Sequence, residues 1–142
     1  MTAHINIGSN LGDRQALIGR AVAALCRRFP GAAVSGPVES EPWGFDSPNA
    51  FVNVGVMIES DLDPEGLLSV LLEIERSVGN GISHRDSTGR YADRAIDIDL
   101  IDYGHMVYLS RRLTLPHPWA ADRPFVMGPL LELEPDYCSP LD

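Results

Sequence analysis

Arg94-Ala95-Ile96-Asp97-Ile98-Asp99-Leu100 alternates apolar and acidic side chains from residue 96 onward. Side chains on a strand point to opposite faces in turn, so Ile96, Ile98 and Leu100 share one face and Asp97 and Asp99 the other. The two carboxylates then stand about 6.6 Å apart along the strand, at about 3.3 Å per residue. Asp is disfavoured in strands, and two of like charge on one face repel. Two readings of these residues stand open. One is a solvated Asp-x-Asp face. The other is a pair sharing one or two hard divalent cations, with coordination left over for water or phosphate.

The flanking sequence builds a frame around this strand. Residues 2–7 alternate with Ala3, Ile5 and Ile7 on one side, which predicts a strand. Gly8-Ser9-Asn10-Leu11-Gly12 is a tight turn into a helix from near Asp13 to Phe29, with Leu17, Ile18, Ala21, Val22 and Leu25 as its apolar stripe. Cys26 falls on this helix and is expected as a small buried thiol. Pro30-Gly31 ends the helix, and Ala32 to Val38 predicts a second strand. A loop with Pro42-Trp43-Gly44 follows, then a strand over Phe51–Glu59. Its valines and Ile58 form one face; Phe51, Asn53, Gly55 and Met57 form the other. Asp63-Pro64-Glu65 starts a second helix, with Leu67, Leu68, Leu71, Leu72, Ile74 and Val78 as its stripe. Residues 79–93 have no periodicity and are expected as a lid loop. The aspartate strand should end at Tyr103, and Gly104-His105 should turn it back into Met106–Ser110 as a hairpin. Arg123-Pro124-Phe125 opens a short helix that Gly128-Pro129 should interrupt.

The order strand–helix–strand–strand–helix–strand is that of an α+β, ferredoxin-like sandwich. Both long helices should cover one face of an antiparallel sheet in a single domain over residues 1–142. Phe51, Asn53, Asp97 and Asp99 then share the opposite, open face.

Charge narrows the chemistry. The net charge is −9, which disfavours general nucleic-acid binding. Residues 80–125 hold six arginines against six aspartates, so the arginines near the Asp pair are not part of a broadly basic surface. The chain has no lysine, so any phosphate would be held by arginine. No apolar run is long enough for a membrane span and no basic-plus-apolar leader is visible, which fits a cytoplasmic setting.

With these segments in place, the chain resembles the 6-hydroxymethyl-7,8-dihydropterin pyrophosphokinase family over about residues 4–135. The resemblance rests on five motifs in order: Gly8-Ser9-Asn10-Leu11-Gly12, Pro42-Trp43-Gly44 with Phe51-Val52-Asn53, Arg94-Ala95-Ile96-Asp97-Ile98-Asp99, Leu113-Thr114-Leu115-Pro116-His117-Pro118, and Arg123-Pro124-Phe125. It implies transfer of a pyrophosphoryl group from ATP to the pterin hydroxymethyl oxygen, with release of AMP. It implies Asp97 and Asp99 as ligands of two Mg²⁺ ions, and Asp97, Asp99, Arg94 and Arg123 as the catalytic set. Arg85, Arg90, Leu100, Arg112, Thr114, His117 and Arg123 would contact ATP. Ser40, Pro42, Trp43, Phe51, Asn53, Tyr91 and Phe125 would form the pterin site. A monomer acting on two small-molecule substrates is expected. The sequence departs from the family pattern at Ile82 and His84, where the lid usually carries arginines, and at Glu41-Pro42-Trp43. An inactive or altered-specificity relative that binds without turnover, a ferredoxin-like small-molecule-binding module, and a different two-metal enzyme such as a nucleotidyl transferase are the competing readings.

Overall fold

A computed structural model describes residues 1–10, 13–40, 50–79 and 96–142. Its main sheet holds β1 (Thr2–Ser9), β2 (Ala33–Val34), β3 (Val38–Ser40), β4 (Phe51–Glu59) and β5 (Asp97–Tyr103), in the spatial order β2-β4-β1-β5, with β3 also on β4. All pairings are antiparallel. Helices α1 (Arg14–Arg28) and α2 (Pro64–Gly79) supply the crossovers. This is the ferredoxin-like arrangement read from the sequence, with β2 and β3 together standing for its second strand.

The α1/α2 side holds the main core. Ile5, Ile7, Val54, Val56, Ile98 and Leu100 of the sheet are buried with Leu17, Ala21 and Leu25 of α1 and Leu67 and Leu71 of α2. Asp13 caps α1 by accepting the Ala16 N–H at 3.1 Å, and Asp63 receives the Gly66 N–H at 2.9 Å at the start of α2. Each cap satisfies a donor that the first turn leaves over. Leu72, expected in the α2 stripe, is exposed instead. Cys26 is also exposed, contrary to expectation. It follows Leu25 by one position, about 100° round the helix from that buried side chain, and so leaves the apolar stripe.

Three further expectations are corrected. The second strand is broken, because Ser35-Gly36-Pro37 interrupts the ladder. The Ser35 N–H donates to the Gly55 carbonyl at 2.9 Å, but the Gly55 N–H goes to Ser35 Oγ at 2.8 Å, and Pro37 has no N–H to offer. Gly104 and His105 do turn, both with positive φ. The arm beyond them does not pair with β5. Its β6 (Tyr108–Leu109) pairs with β7 (Thr114–Leu115) in a separate two-stranded ribbon. Glu65 draws that arm towards α2 by accepting the Tyr108 hydroxyl at 2.9 Å and the Ser110 hydroxyl at 2.7 Å.

The third correction bears on the site. Helix α3 (Pro124–Leu133) runs through Gly128-Pro129 without a break and packs on the sheet face opposite α1 and α2. Val126 and Leu130 join Ile101 and Ala120 in a second apolar cluster there. The expected open face is therefore half covered. A Cβ on Gly55 would meet Pro129 Cβ at 3.0 Å, so a glycine in β4 allows this close approach.

β5 carries a bulge. His4 pairs with Asp102 and Ile5 with Leu100, leaving Ile101 as an extra residue. The extra residue resets the alternation: Tyr103 enters the main core, while Asp102 lies opposite His4 on the α3 side. Asp102 accepts the Tyr137 hydroxyl at 2.6 Å and the His105 N–H at 2.9 Å. His4 is buried and paired with Glu134 at 3.0 Å. These contacts fasten the C-terminal tail. Among the described residues no helix is long and apolar enough to cross a membrane.

Candidate active site

Two rows of residues cross the sheet face that α3 leaves partly uncovered. In the first, Gly8 of β1 lies between Asp97 of β5 and Asn53 of β4. In the second, Asn6 lies between Asp99 and Gly55. Directly opposed residues of antiparallel strands share a face, so Asp97, Asp99, Asn6 and Asn53 do share one, as the alternation predicted. Asp97 and Asp99 are half-buried. Between them, the Ile98 N–H points out of the sheet edge and donates to Glu75 Oε2 of α2 at 2.8 Å. That bond holds the edge strand where its two carboxylates begin.

Asn53 is buried, and its Nδ2 donates to Ser40 Oγ at 3.3 Å. Phe51, two residues earlier and half-buried, stands opposite Ser40. Gly8 makes room for both: a Cβ there would sit 2.6 Å from Asn53 Oδ1 and 3.6 Å from Phe51 Cδ1. Arg14 of α1 donates to the Ala50 carbonyl at 2.7 Å, pinning the chain just before Phe51.

The segment after β7 brings the remaining groups. His117 donates its main-chain N–H to the Ile101 carbonyl at 2.8 Å, and its Nδ1 accepts the Trp119 N–H at 3.3 Å. The neutral ring therefore carries its proton on Nε2. Burial depresses the His117 pKa, the Arg123 guanidinium lowers it further, and the Asp97 carboxylate pulls the other way. These influences place His117, Arg123 and Asp97 within electrostatic reach of one another. Arg123 stands at the N-cap position of α3, with its guanidinium carbon 5.3 Å from the Trp119 ring centroid and 5.8 Å from that of Phe125. Stacking on aromatic faces suits a guanidinium that must hold its plane for a phosphate.

Other residues singled out from the sequence lie elsewhere. Arg112 is exposed, and its charge acts on Glu65, whose carboxyl pKa is lowered first by the Ser110 and Tyr108 hydrogen bonds. Thr114 is exposed at the start of β7. The Leu100 side chain is buried in the main core, so only its main chain is available to a ligand at the β5 edge. Arg85, Arg90, Tyr91, Arg94, Pro42 and Trp43 lie outside the described residues, as does the expected lid beyond Gly79. Sequence reasoning passed over Asn6, Arg14, Glu75 and Trp119. An asparagine in mid-strand opposite an aspartate was the signal available for Asn6.

Among the described residues no group of three His, Cys, Asp or Glu is gathered as a metal cage. Two neighbouring carboxylates without a third protein ligand suit a cation that keeps its water or shares phosphate oxygens, as Mg²⁺ does.

Fold and site together define a small α+β protein that gathers a carboxylate pair, a buried amide and an aromatic side chain beside one sheet face. The chain belongs to the 7,8-dihydro-6-hydroxymethylpterin-pyrophosphokinase family, whose model matches residues 4–135. It is 40% identical over 136 residues to the 2-amino-4-hydroxy-6-hydroxymethyldihydropteridine pyrophosphokinase of Porphyromonas gingivalis, covering 93% of this chain and 90% of that one. The enzyme of the same name from Aquifex aeolicus is 33% identical over 140 residues, 99% of this chain and 84% of the other. The match to the folic acid synthesis protein FOL1 of Dictyostelium discoideum is 31% identical over 137 residues, 96% of this chain and 20% of that longer protein.

Proposed function

We propose that this protein transfers the pyrophosphoryl group of ATP to the hydroxymethyl oxygen of 6-hydroxymethyl-7,8-dihydropterin, in folate synthesis. The row Asp97–Gly8–Asn53 carries the reading, because it sets a carboxylate and a buried amide on one face with only a glycine between them. The hydroxymethyl oxygen attacks the β-phosphorus, the bond from that phosphorus to the bridging oxygen of the α-phosphate breaks, AMP leaves, and the hydroxyl proton passes to solvent. Family membership supports this reaction.

Each residue has a stated task in the reading. Asn53, steadied by Ser40, offers its amide to the hydrogen-bonding edge of the pterin, and an unmatched ring would leave that amide unpaired at about 1–3 kcal/mol. Phe51 and Phe125 stack on the two ring faces. His117, neutral, donates from Nε2, and Arg123 gives its fork to a phosphate. Asp97 and Asp99 would hold two Mg²⁺ ions, which would supply charge neutralisation on the triphosphate oxygens. Arg112 and Thr114 serve ATP from the ribbon, and Leu100 serves it through its main chain. Arg85, Arg90, Tyr91 and Arg94 complete the phosphate and lid contacts, and Pro42 and Trp43 the pterin wall. A cytoplasmic monomer needs no more than these two substrates.

The test is AMP release from ATP and Mg²⁺ with and without the pterin, wild type beside Asp97→Ala. Pterin-dependent AMP that vanishes in the variant is expected. Wild-type protein that binds pterin and ATP without forming AMP would overturn the reading.

A further inference from the structure

Pro129 sits inside α3, where it cannot donate the hydrogen bond that a helix residue gives to the carbonyl four positions earlier. That carbonyl belongs to Phe125. In this protein it accepts Asn6 Nδ2 from β1 at 3.1 Å. A carbonyl only accepts, so the amide orientation is set: the nitrogen faces Phe125. Asn6 is 5% exposed and lies directly between Asp99 and Gly55 in the sheet. Gly55 is the residue on which Pro129 rests. The proline thus frees one carbonyl, and its seat on Gly55 brings that carbonyl over the neighbouring side chain able to fill it.

We infer that Asn6 is a positioning residue for the aromatic wall of the site. Its amide replaces the helix bond that Pro129 cannot make. It thereby fixes the first turn of α3, with Phe125 and Arg123, at a set distance from Asp99. That bond ties the side of α3 that carries Phe125 to the strand that flanks Asp99. At the far end of the helix, His4 and Glu134 do the equivalent work. The inference rests on the reading of Phe125 as a pterin-stacking residue.

A double-mutant cycle between Asn6 and Pro129 tests it. Asn6→Ala should raise KM for the pterin about tenfold, on the scale of one buried hydrogen bond. KM for ATP should change less than about twofold, since Arg123 still stacks on Trp119, and kcat should fall little. In a Pro129→Ala background the new N–H at 129 can bond the Phe125 carbonyl within the helix. The penalty of Asn6→Ala on pterin KM should then shrink to about twofold or less. An equal penalty in both backgrounds would overturn the inference, as would a loss shared by kcat and both KM values. Labelling the phenylalanines with fluorine gives a readout free of turnover: the Phe125 resonance should shift or broaden in Asn6→Ala and recover in the double variant. An unmoved resonance in Asn6→Ala would also overturn it. Wild-type protein inactive in the AMP assay, with this resonance behaving as expected, would strike the functional reading alone.

Discussion

Gly8 and Asn53 face each other across the β1–β4 pairing so closely that a methyl group on Gly8 would lie 2.6 Å from Asn53 Oδ1. Asn53 is buried and cannot move into solvent to relieve the clash. Gly8→Ala should therefore turn the amide away from Ser40 and from any ring it reads. Pterin KM should rise by about tenfold or more, the equivalent of one lost hydrogen bond at about 1.4 kcal/mol, with ATP KM held. Steady-state kinetics with each substrate varied in turn is the check. An unchanged pterin KM would detach Asn53 from pterin recognition.

Asp97 and Asp99 each contribute a carboxylate to a pair that no third described ligand supports. Asp99→Asn should lower AMP formation at least about a hundredfold, the loss that ~2.7 kcal/mol of barrier represents, and move the magnesium activation curve to higher concentration. Titrating Mg²⁺ at saturating ATP and pterin measures both effects. Activity within twofold of wild type along an unshifted curve would rule out metal binding at this residue.

His117 should titrate below an ordinary histidine, because burial and Arg123 outweigh the opposing pull of Asp97. As pH falls, the unfolded chain protonates this residue first, near pH 6.5, so its contribution to stability is complete above about that value. The contribution drains away as pH drops towards the lowered folded value. His117→Gln should give a flatter dependence of stability on pH between about 7 and 5. An NMR titration of the ring protons gives the midpoint directly, and a value at or above 6.5 would contradict the burial argument.

Asp102 is buried at the other end of β5 and holds both Tyr137 and His105. Burial, then the Asp102 hydrogen bond, pushes the Tyr137 pKa up, so the phenol stays a donor throughout the working range. Asp102→Ala would leave that hydroxyl and the His105 N–H without their acceptor, at a cost of about 1–3 kcal/mol. Thermal unfolding should come several degrees lower, while both KM values stay put. A large change in either KM would mean that the tail anchor reaches the site.

The ferredoxin-like order, the Phe51–Glu59 strand and the shared face of Asn53, Asp97 and Asp99 were legible because period-two alternation reports faces directly. What covers a face was not. Residues 6 and 55 carry no apolar signal, yet Asn6 and Gly55 are where α3 docks. Pro129 looked like a helix breaker because the sequence does not reveal that a distant side chain fills the carbonyl left vacant. The break between β2 and β3 depends on Ser35 substituting a hydroxyl for a main-chain group. The anchoring of the β6–β7 ribbon to α2 depends on Glu65, more than forty residues from Tyr108. Cys26 was misplaced by one position of helix phase.

The bulge at Ile101 makes β5 a strand counted in two phases. Upstream, the count puts Asp97 and Asp99 beside the candidate site; downstream, one residue more puts Asp102 under the tail and Tyr103 in the core. Substitutions between Asp99 and Asp102 alter a side chain and leave both phases intact. Flattening the bulge with every residue kept would send Asp102 into the apolar interior and Tyr103 out of it, whereas losing one residue there would only make the ladder regular. A gap at Leu100 or Ile101 should therefore be tolerated better than one anywhere else in β5, because only there does the strand carry a residue that the ladder does not count.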